Sequence, residues 1–243
     1  MTALPARPAT KRAQREASIE RLLAAALTRF VGQGFSHTTV EQIAEDGGLT
    51  KGSVYFYFKG KDALLMALLD RVKQVVVDDM IDRVSAAGPG AADKVVAFVH
   101  GQARLGVDRW EHVLLLILMS LEFAGRGGPV EDRTKAIYAR MYRTLEDVLE
   151  LGKREGVFRG DLRTREQAAI VMAGHDGTFL EWYRRGADFD GGELVRALRT
   201  ATLGGLVDTH EDTAGATGPA TERRKRWHRP TPAARPRWRS PRA

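Results

Sequence analysis

A chain of 243 residues, 43% hydrophobic and 28% charged, is long enough to bury a substantial core in one or two domains. It contains no cysteine, which removes disulfides, thiolate metal sites and cysteine nucleophiles together. The net charge of +7 is uneven: residues 1–61 carry nine Lys/Arg against five Asp/Glu, residues 62–220 carry 20 against 25, and residues 221–243 carry nine against one, so basic ends flank an acidic middle that would repel a polyanion.

The opening MTALPARPATKR has no apolar stretch and does not read as a secretory signal. Residues 1–15 read as a flexible basic arm, with Arg7, Lys11, Arg12 and Arg15 placed to follow a phosphate backbone or simply to be solvated. The spacing of Ile19, Leu22, Leu23, Ala26, Leu27 and Phe30 predicts a first helix from about Glu16 to Gly32 with one apolar stripe. Thr38, followed three residues later by Glu41, predicts a capping box opening a second helix that runs out at Gly47 and Gly48. A third helix begins at Thr50. Its spacing puts Val54 and Phe58 on a packing face and Lys51 and Tyr55 on another. Thr50, Lys51 and Ser53 supply donors at its start, where a helix also favours phosphate. Two helices joined by a tight glycine turn match a helix-turn-helix, whose second helix enters the DNA major groove; an ordinary helical hairpin with solvated polar residues has the same pattern.

Residues 17–68 resemble the DNA-binding domain of the tetracycline-repressor (TetR) family. The resemblance is carried by the helix ending in Phe30, Gly34-Phe35, Thr38-Thr39-Val40, Ile43-Ala44, Lys51-Gly52-Ser53, the run Tyr55-Phe56-Tyr57-Phe58, and Lys61. Phe56 stands where the family often has histidine, and Lys59-Gly60 where proline-serine is common. The resemblance implies a DNA-binding surface formed by Thr38, Thr39, Thr50, Lys51, Gly52, Ser53, Tyr55, Tyr57 and Lys61. Thr50, Lys51 and Ser53 would hold phosphates or base edges, Tyr55 would face the bases or backbone, and Tyr57, Lys61 and Thr38 would anchor phosphates.

From Lys61 to about Ala86 one long helix carries Leu64, Leu65, Leu68, Leu69, Val72 and Val76, and Gly88-Pro89-Gly90 stops it. Further helices are predicted over about 91–106, 110–125, 130–155, 164–185 and 193–207. The stretch Leu114–Met119 is apolar on every side and so buried, and the apolar run Val113–Met119 is far short of the roughly 20 residues that cross a bilayer. Thr164 with Gln167 predicts another capping box. The helix over 164–185 is apolar on more than one side and needs two partners, one of them plausible as a second subunit; in the family, helices at about 130–155 and 164–185 imply a homodimer interface. Residues 211–243, rich in Pro, Gly and Arg with Trp227 and Trp238, read as a disordered basic tail that adds nonspecific DNA affinity or merely solubilises.

No catalytic or metal-binding constellation emerges: GGLTKGS lacks the order of a phosphate loop, there is no HExxH, and neither cofactor nor metal is expected. His175 and Asp176 are adjacent on a helix, about 100° apart, and are expected not to act on one atom; a satisfied buried or interfacial pair is favoured over a ligand contact. Trp110, His112, Leu116, Phe123, Met172, His175, Phe179 and Trp182 are candidates to line a small-molecule cavity between helices, though such stripes are usually core.

The expected architecture is therefore all-α: a three-helix helix-turn-helix head over 16–61 and a helical bundle over 62–210 for ligand binding and dimerisation. The expected function is a cytoplasmic, homodimeric DNA-binding regulator, a repressor by resemblance, with no membrane attachment. Two heads roughly 34 Å apart would read a partly palindromic double-stranded operator and a small-molecule inducer would release it. The rivals are a general nucleic-acid-binding or DNA-packaging protein without a ligand, and a small helical enzyme using His175.

Overall fold

The computed structural model describes residues 10–186 and 190–207 of the chain. Among them every regular element is helical. Arg7 and the basic tail over 211–243 lie outside the described residues.

Helix α1 (Lys11–Gln33) begins five residues before the expected Glu16, because the Thr10 hydroxyl accepts the Ala13 amide at 3.2 Å and caps it. Lys11, Arg12 and Arg15 therefore sit on a helix. The apolar stripe starts only at Ile19, so periodicity alone could not place the polar first turns. Leu22, Ala26 and Phe30 are completely buried and form the floor of the head. On that floor pack α2 (Val40–Asp46) through Ile43 and Ala44, and α3 (Lys51–Tyr57) through Val54.

The cap of α2 is one residue further on than expected. Thr39, not Thr38, is the N-cap: its hydroxyl accepts the Gln42 amide, and the Gln42 side chain accepts the Thr39 amide at 2.9 Å. Glu41 takes no part in this box. Gly48, at φ 61° between α2 and α3, supplies the left-handed turn that an L side chain resists. Thr50 then caps α3 by accepting the Ser53 amide at 3.2 Å.

The long connector is continuous from α4 (Lys61–Val72) through a π-helical turn at Lys73–Asp78 into α5 (Asp79–Ala86). Asp70 pairs with Arg133 and Asp78 with Arg140 at 2.8 Å, both across to α8 (Pro129–Arg154). The partners are eight residues apart on the connector and seven on α8. A regular α-helix would rotate Asp78 away from the Asp70 face. The i→i+5 turn absorbs the extra residue and keeps both carboxylates on α8.

The body adds α6 (Ala91–Asp108), α7 (Trp110–Glu122), α9 (Thr164–Arg185) and α10 (Gly191–Leu206). The apolar run of α7 is buried from Val113 to Ile117 and at Met119, as its lack of a polar face requires. Gly152 of α8 is fixed by packing: a Cβ there would stand 2.0 Å from the Phe158 ring. The expected Thr164–Gln167 capping box does not form. Arg163 is the N-cap, the Thr164 hydroxyl meets Lys153 and Glu150 of α8, and Gln167 is buried with both side-chain polar atoms unpartnered. No described helix is long and apolar enough to cross a membrane.

Candidate nucleic-acid interface and ligand cavity

Two sites emerge, one on the head and one in the body. On the head, Val54 is fully buried while its neighbours point outward, so α3 is held by one face and displays the other. Thr50, Lys51, Gly52 and Tyr55 are exposed, Ser53 and Tyr57 half-buried, and Thr39 is exposed at the adjoining start of α2. Lys51 crosses from α3 to α2, where its ammonium meets Glu41 at 2.5 Å, and it lies 6.0 Å from the Tyr55 ring. The Glu41 contact raises the Lys51 pKa and holds the carboxyl below its ordinary value.

Two residues expected at phosphates are used internally. Thr38 is 2% exposed, and its hydroxyl donates to the Gly34 carbonyl at 2.8 Å. The Lys61 ammonium donates to the carbonyls of Phe35 and Thr38 at 2.8 and 2.9 Å and sits 4.2 Å from the Phe35 ring, tying α4 to the loop before α2. Conversely, sequence reasoning left Phe56 out of the surface, yet it is 79% exposed, with its ring edge-to-face to Tyr57 at 5.0 Å between centroids. An unpacked phenyl ring beside Tyr55 is an apolar contact for a base edge or thymine methyl. Its place in the aromatic run Tyr55–Phe58, three positions of which cannot all share Val54's face, was the available signal.

The head is bolted to α7. Phe35 stacks edge-on against Phe123 at 5.3 Å, and the Ser36 hydroxyl donates to Glu122 at 2.5 Å. Phe123 therefore belongs to this junction, not to a ligand cavity. His112 lies near Arg109 and Arg71, where burial and then those charges lower its pKa. Leu116 and Met172 are core.

The body cavity, about 510 Å³, opens between α6, α9 and α10. Of the eight candidate lining residues only His175, Phe179 and Trp182 border it; Trp110 is stacked on Tyr183 at 5.9 Å outside the lining. The rest of the wall, which includes Val99, His100, Arg104 and Val107 on α6 and Leu194, Val195 and Leu198 on α10, was missed by sequence reasoning. The apolar spacing of α10 was the signal that it covers something.

His175 is 7% exposed, and its Nδ1 lies 2.9 Å from the Asp176 carboxylate, the satisfied buried pair that the sequence favoured over a ligand contact, although His175 also borders the cavity. The two side chains bend toward each other across the 100° between them. The Tyr138 hydroxyl donates to the same carboxylate at 3.1 Å; burial, then the charge of Asp176, pushes its pKa up, so it remains a donor. This polar link joins α8 to the cavity wall.

The family model for bacterial regulatory proteins of the tetR family matches residues 22–68, which span α1 to α4 and include every exposed residue of α3. The solved structure of the MbdR regulator from Azoarcus sp. CIB is 46% identical, covering 79% of this chain and all of that one, with a TM-score of 0.72. Among curated proteins, the transcriptional repressor KstR2 of Mycolicibacterium smegmatis is 24% identical over 86% of this chain and 96% of its own length. The transcriptional repressor BepR of Brucella suis is 24% identical over 70% and 83% respectively. A helix-turn-helix head with an exposed third helix, joined to a helical body as in MbdR, makes this chain a DNA-binding transcriptional regulator that belongs to the tetR family of bacterial regulatory proteins.

Proposed function

We propose that the protein is a cytoplasmic homodimeric repressor that holds a partly palindromic operator with two copies of α3 and lets go when a small molecule occupies the α6–α9–α10 cavity. The observation that carries it is the division of α3: Val54 is fully buried, whereas Lys51, Tyr55 and Phe56 are exposed to solvent. Lys51, Thr50 and Ser53 would meet phosphates or base edges, Tyr55 and Phe56 the base edges, and Thr39 and Tyr57 the flanking backbone. Thr38 and Lys61 support this surface from behind.

The proposed dimer surface is the outer side of α9 with α10. Ile170 is 74% exposed, and Ala173 beside it and Ala197, Ala201 and Gly204 on α10 are exposed and small, which permits close helix packing. The outer side of α8, expected to share the interface, instead carries Lys135, Arg143, Asp147 and Glu150. These charges favour solvent, which supports α10 as the proposed partner of α9.

Coupling would run through the junction already described: the cavity wall at His175 is linked by Asp176 and Tyr138 to α8, and α8 grips the connector at Asp70 and Asp78. A ligand that favours one setting of α9 against α8 would reset the spacing of the two heads. Footprinting of the full-length protein on DNA upstream of its own gene tests the reading. Protection of one symmetric site is expected. Uniform binding without a protected site, steeply weakened by salt, would instead support a general nucleic-acid-binding protein.

A further inference from the structure

The chemistry of the cavity wall points to one class of ligand. Three basic side chains border it: His100 and Arg104, one helical turn apart on α6, and His175 facing them from α9. No acidic residue is among the described residues of its lining. Among the described residues, the carboxylates nearest in sequence to the wall are already committed. Asp108 lies 3.4 Å from the Arg104 Nε, Asp176 holds His175 and Tyr138, Glu181 pairs with Arg184, Asp190 accepts the Glu193 amide at 3.0 Å, and Glu193 pairs with Arg196. An ionised carboxylate can only accept, so the proton in the His175–Asp176 bond belongs to Nδ1 and Nε2 of the ring is an acceptor, which leaves His100 and Arg104 as the donors for an anion.

Apart from Thr178 the remainder of the wall is apolar, with Val99 from α6, Phe179 from α9 and Leu198 from α10. A wall of this kind disfavours a cationic ligand: an ammonium would be desolvated beside the Arg104 guanidinium with no carboxylate among the described lining residues to meet it. An anion gains a charge-assisted hydrogen bond from the Arg104 guanidinium and a further ring N–H donor from His100. We infer that the cavity binds an organic monoanion, an apolar alkyl or aryl body carrying a single carboxylate-like acid group, with the body against Phe179 and Leu198 and the acid toward His100 and Arg104.

This inference rests on the proposal that the cavity receives the effector, and the experiment separates the two. Octanoate, 4-phenylbutyrate and biphenyl-4-carboxylate are titrated into the full-length protein by calorimetry, each beside its primary amide and the amine of the same body. The acid of at least one set is expected to bind about tenfold more tightly than its amide, with the amine weakest, as one charge-assisted contact in a partly open site would give. Arg104→Leu combined with His100→Leu should bring acid and amide to within about twofold, while Arg104→Lys keeps most of the preference. The acid-to-amide ratio is internal to each variant, so altered stability does not imitate the result. Equal or reversed ratios in the unaltered protein, or no acid binding in any set, overturn the inference. Operator footprints with and without each acid are recorded in parallel: an acid that binds but never releases the operator leaves the ligand class standing and removes the effector role.

Discussion

The head and the wall of the body cavity are built on opposite plans. In the head, the ties that cap and turn α2 and α3 are short in sequence: Thr39 with Gln42, Thr50 with Ser53, and the glycine turn at Gly48, with Lys61 as a longer brace from behind. In the cavity, Val99 and His100 on α6, His175 and Phe179 on α9, and Leu194 and Leu198 on α10 meet only because the whole body has folded. The display surface is thus specified locally and the sensing surface globally. Point changes in the head should separate folding from DNA reading, whereas changes in the body should mix stability with response.

The largest expected effect breaks the head's support. Val54→Asp places a charge at a fully buried position, and a loss of roughly 3 kcal/mol or more, with operator binding abolished, is expected by thermal unfolding and gel shift. Tyr55→Ala is the matched control on the display face. It should weaken operator binding by about tenfold or more, the scale of a lost base-edge contact, and leave the unfolding midpoint nearly in place. A Tyr55→Ala protein that melts as early as Val54→Asp would show that the two faces of α3 are not separable.

Next in size is the body's outer surface. Ile170→Arg puts a long cation at the centre of the proposed α9–α10 contact, where its twin in the partner would repel it. Light scattering should show the monomer fraction rising at micromolar concentration, with operator affinity falling because each head then binds alone. An unchanged dimer would move the interface elsewhere.

A third change tests the loop that leads into α8. Glu131 is buried and holds Lys135 at 2.8 Å and the amides of Gly125 and Gly127 at 2.8 and 2.5 Å. Lys135 first, then these amides, bring its pKa from an ordinary 4.5 down to about 2. A carboxyl depressed in the folded state contributes stability that is complete above pH 4.5 and is lost as the pH falls toward about 2. The stability advantage of the native protein over Glu131→Gln, measured by urea unfolding, should therefore shrink across that window and be nearly gone at its acid end. A constant gap would mean that the side chain acts by shape alone.

The same local-against-global division explains what could be read from the chain beforehand. Helix positions, the glycine turn and the outward faces of Lys51 and Tyr55 follow from spacing, because Val54 fixes which side of α3 is buried. Thr38 and Lys61 were misplaced because their partners are carbonyls at positions 34, 35 and 38, set by the packing of α4 against the loop and not by any local pattern. Gln167 has the identity of a capping residue, yet α9 starts against α8, and Thr164 is drawn to Lys153 and Glu150 instead. Of the cavity residues, those on α9 were recognisable as aromatic positions of a helix with two partners. Those on α6 and α10 were not, since nothing in either segment shows which helix it will face.

The smallest effect sharpens the display surface itself. Glu41 occupies the ammonium of Lys51 at 2.5 Å, both side chains being exposed, so a phosphate approaching Lys51 must displace a carboxylate and then sit beside it. Glu41→Gln removes the competitor and one negative charge while leaving the Thr39–Gln42 cap intact. Operator affinity should rise by about twofold to fivefold at low salt, the modest scale of an exposed pair, and the gain should fade as salt screens the contact. Lys51→Ala should lower affinity and reduce the salt slope by about one unit, as for the loss of one phosphate contact. If the carboxylate acts through this lysine, Glu41→Gln gains little more in the Lys51→Ala background; if it acts only as a charge near DNA, the gain is the same with or without Lys51.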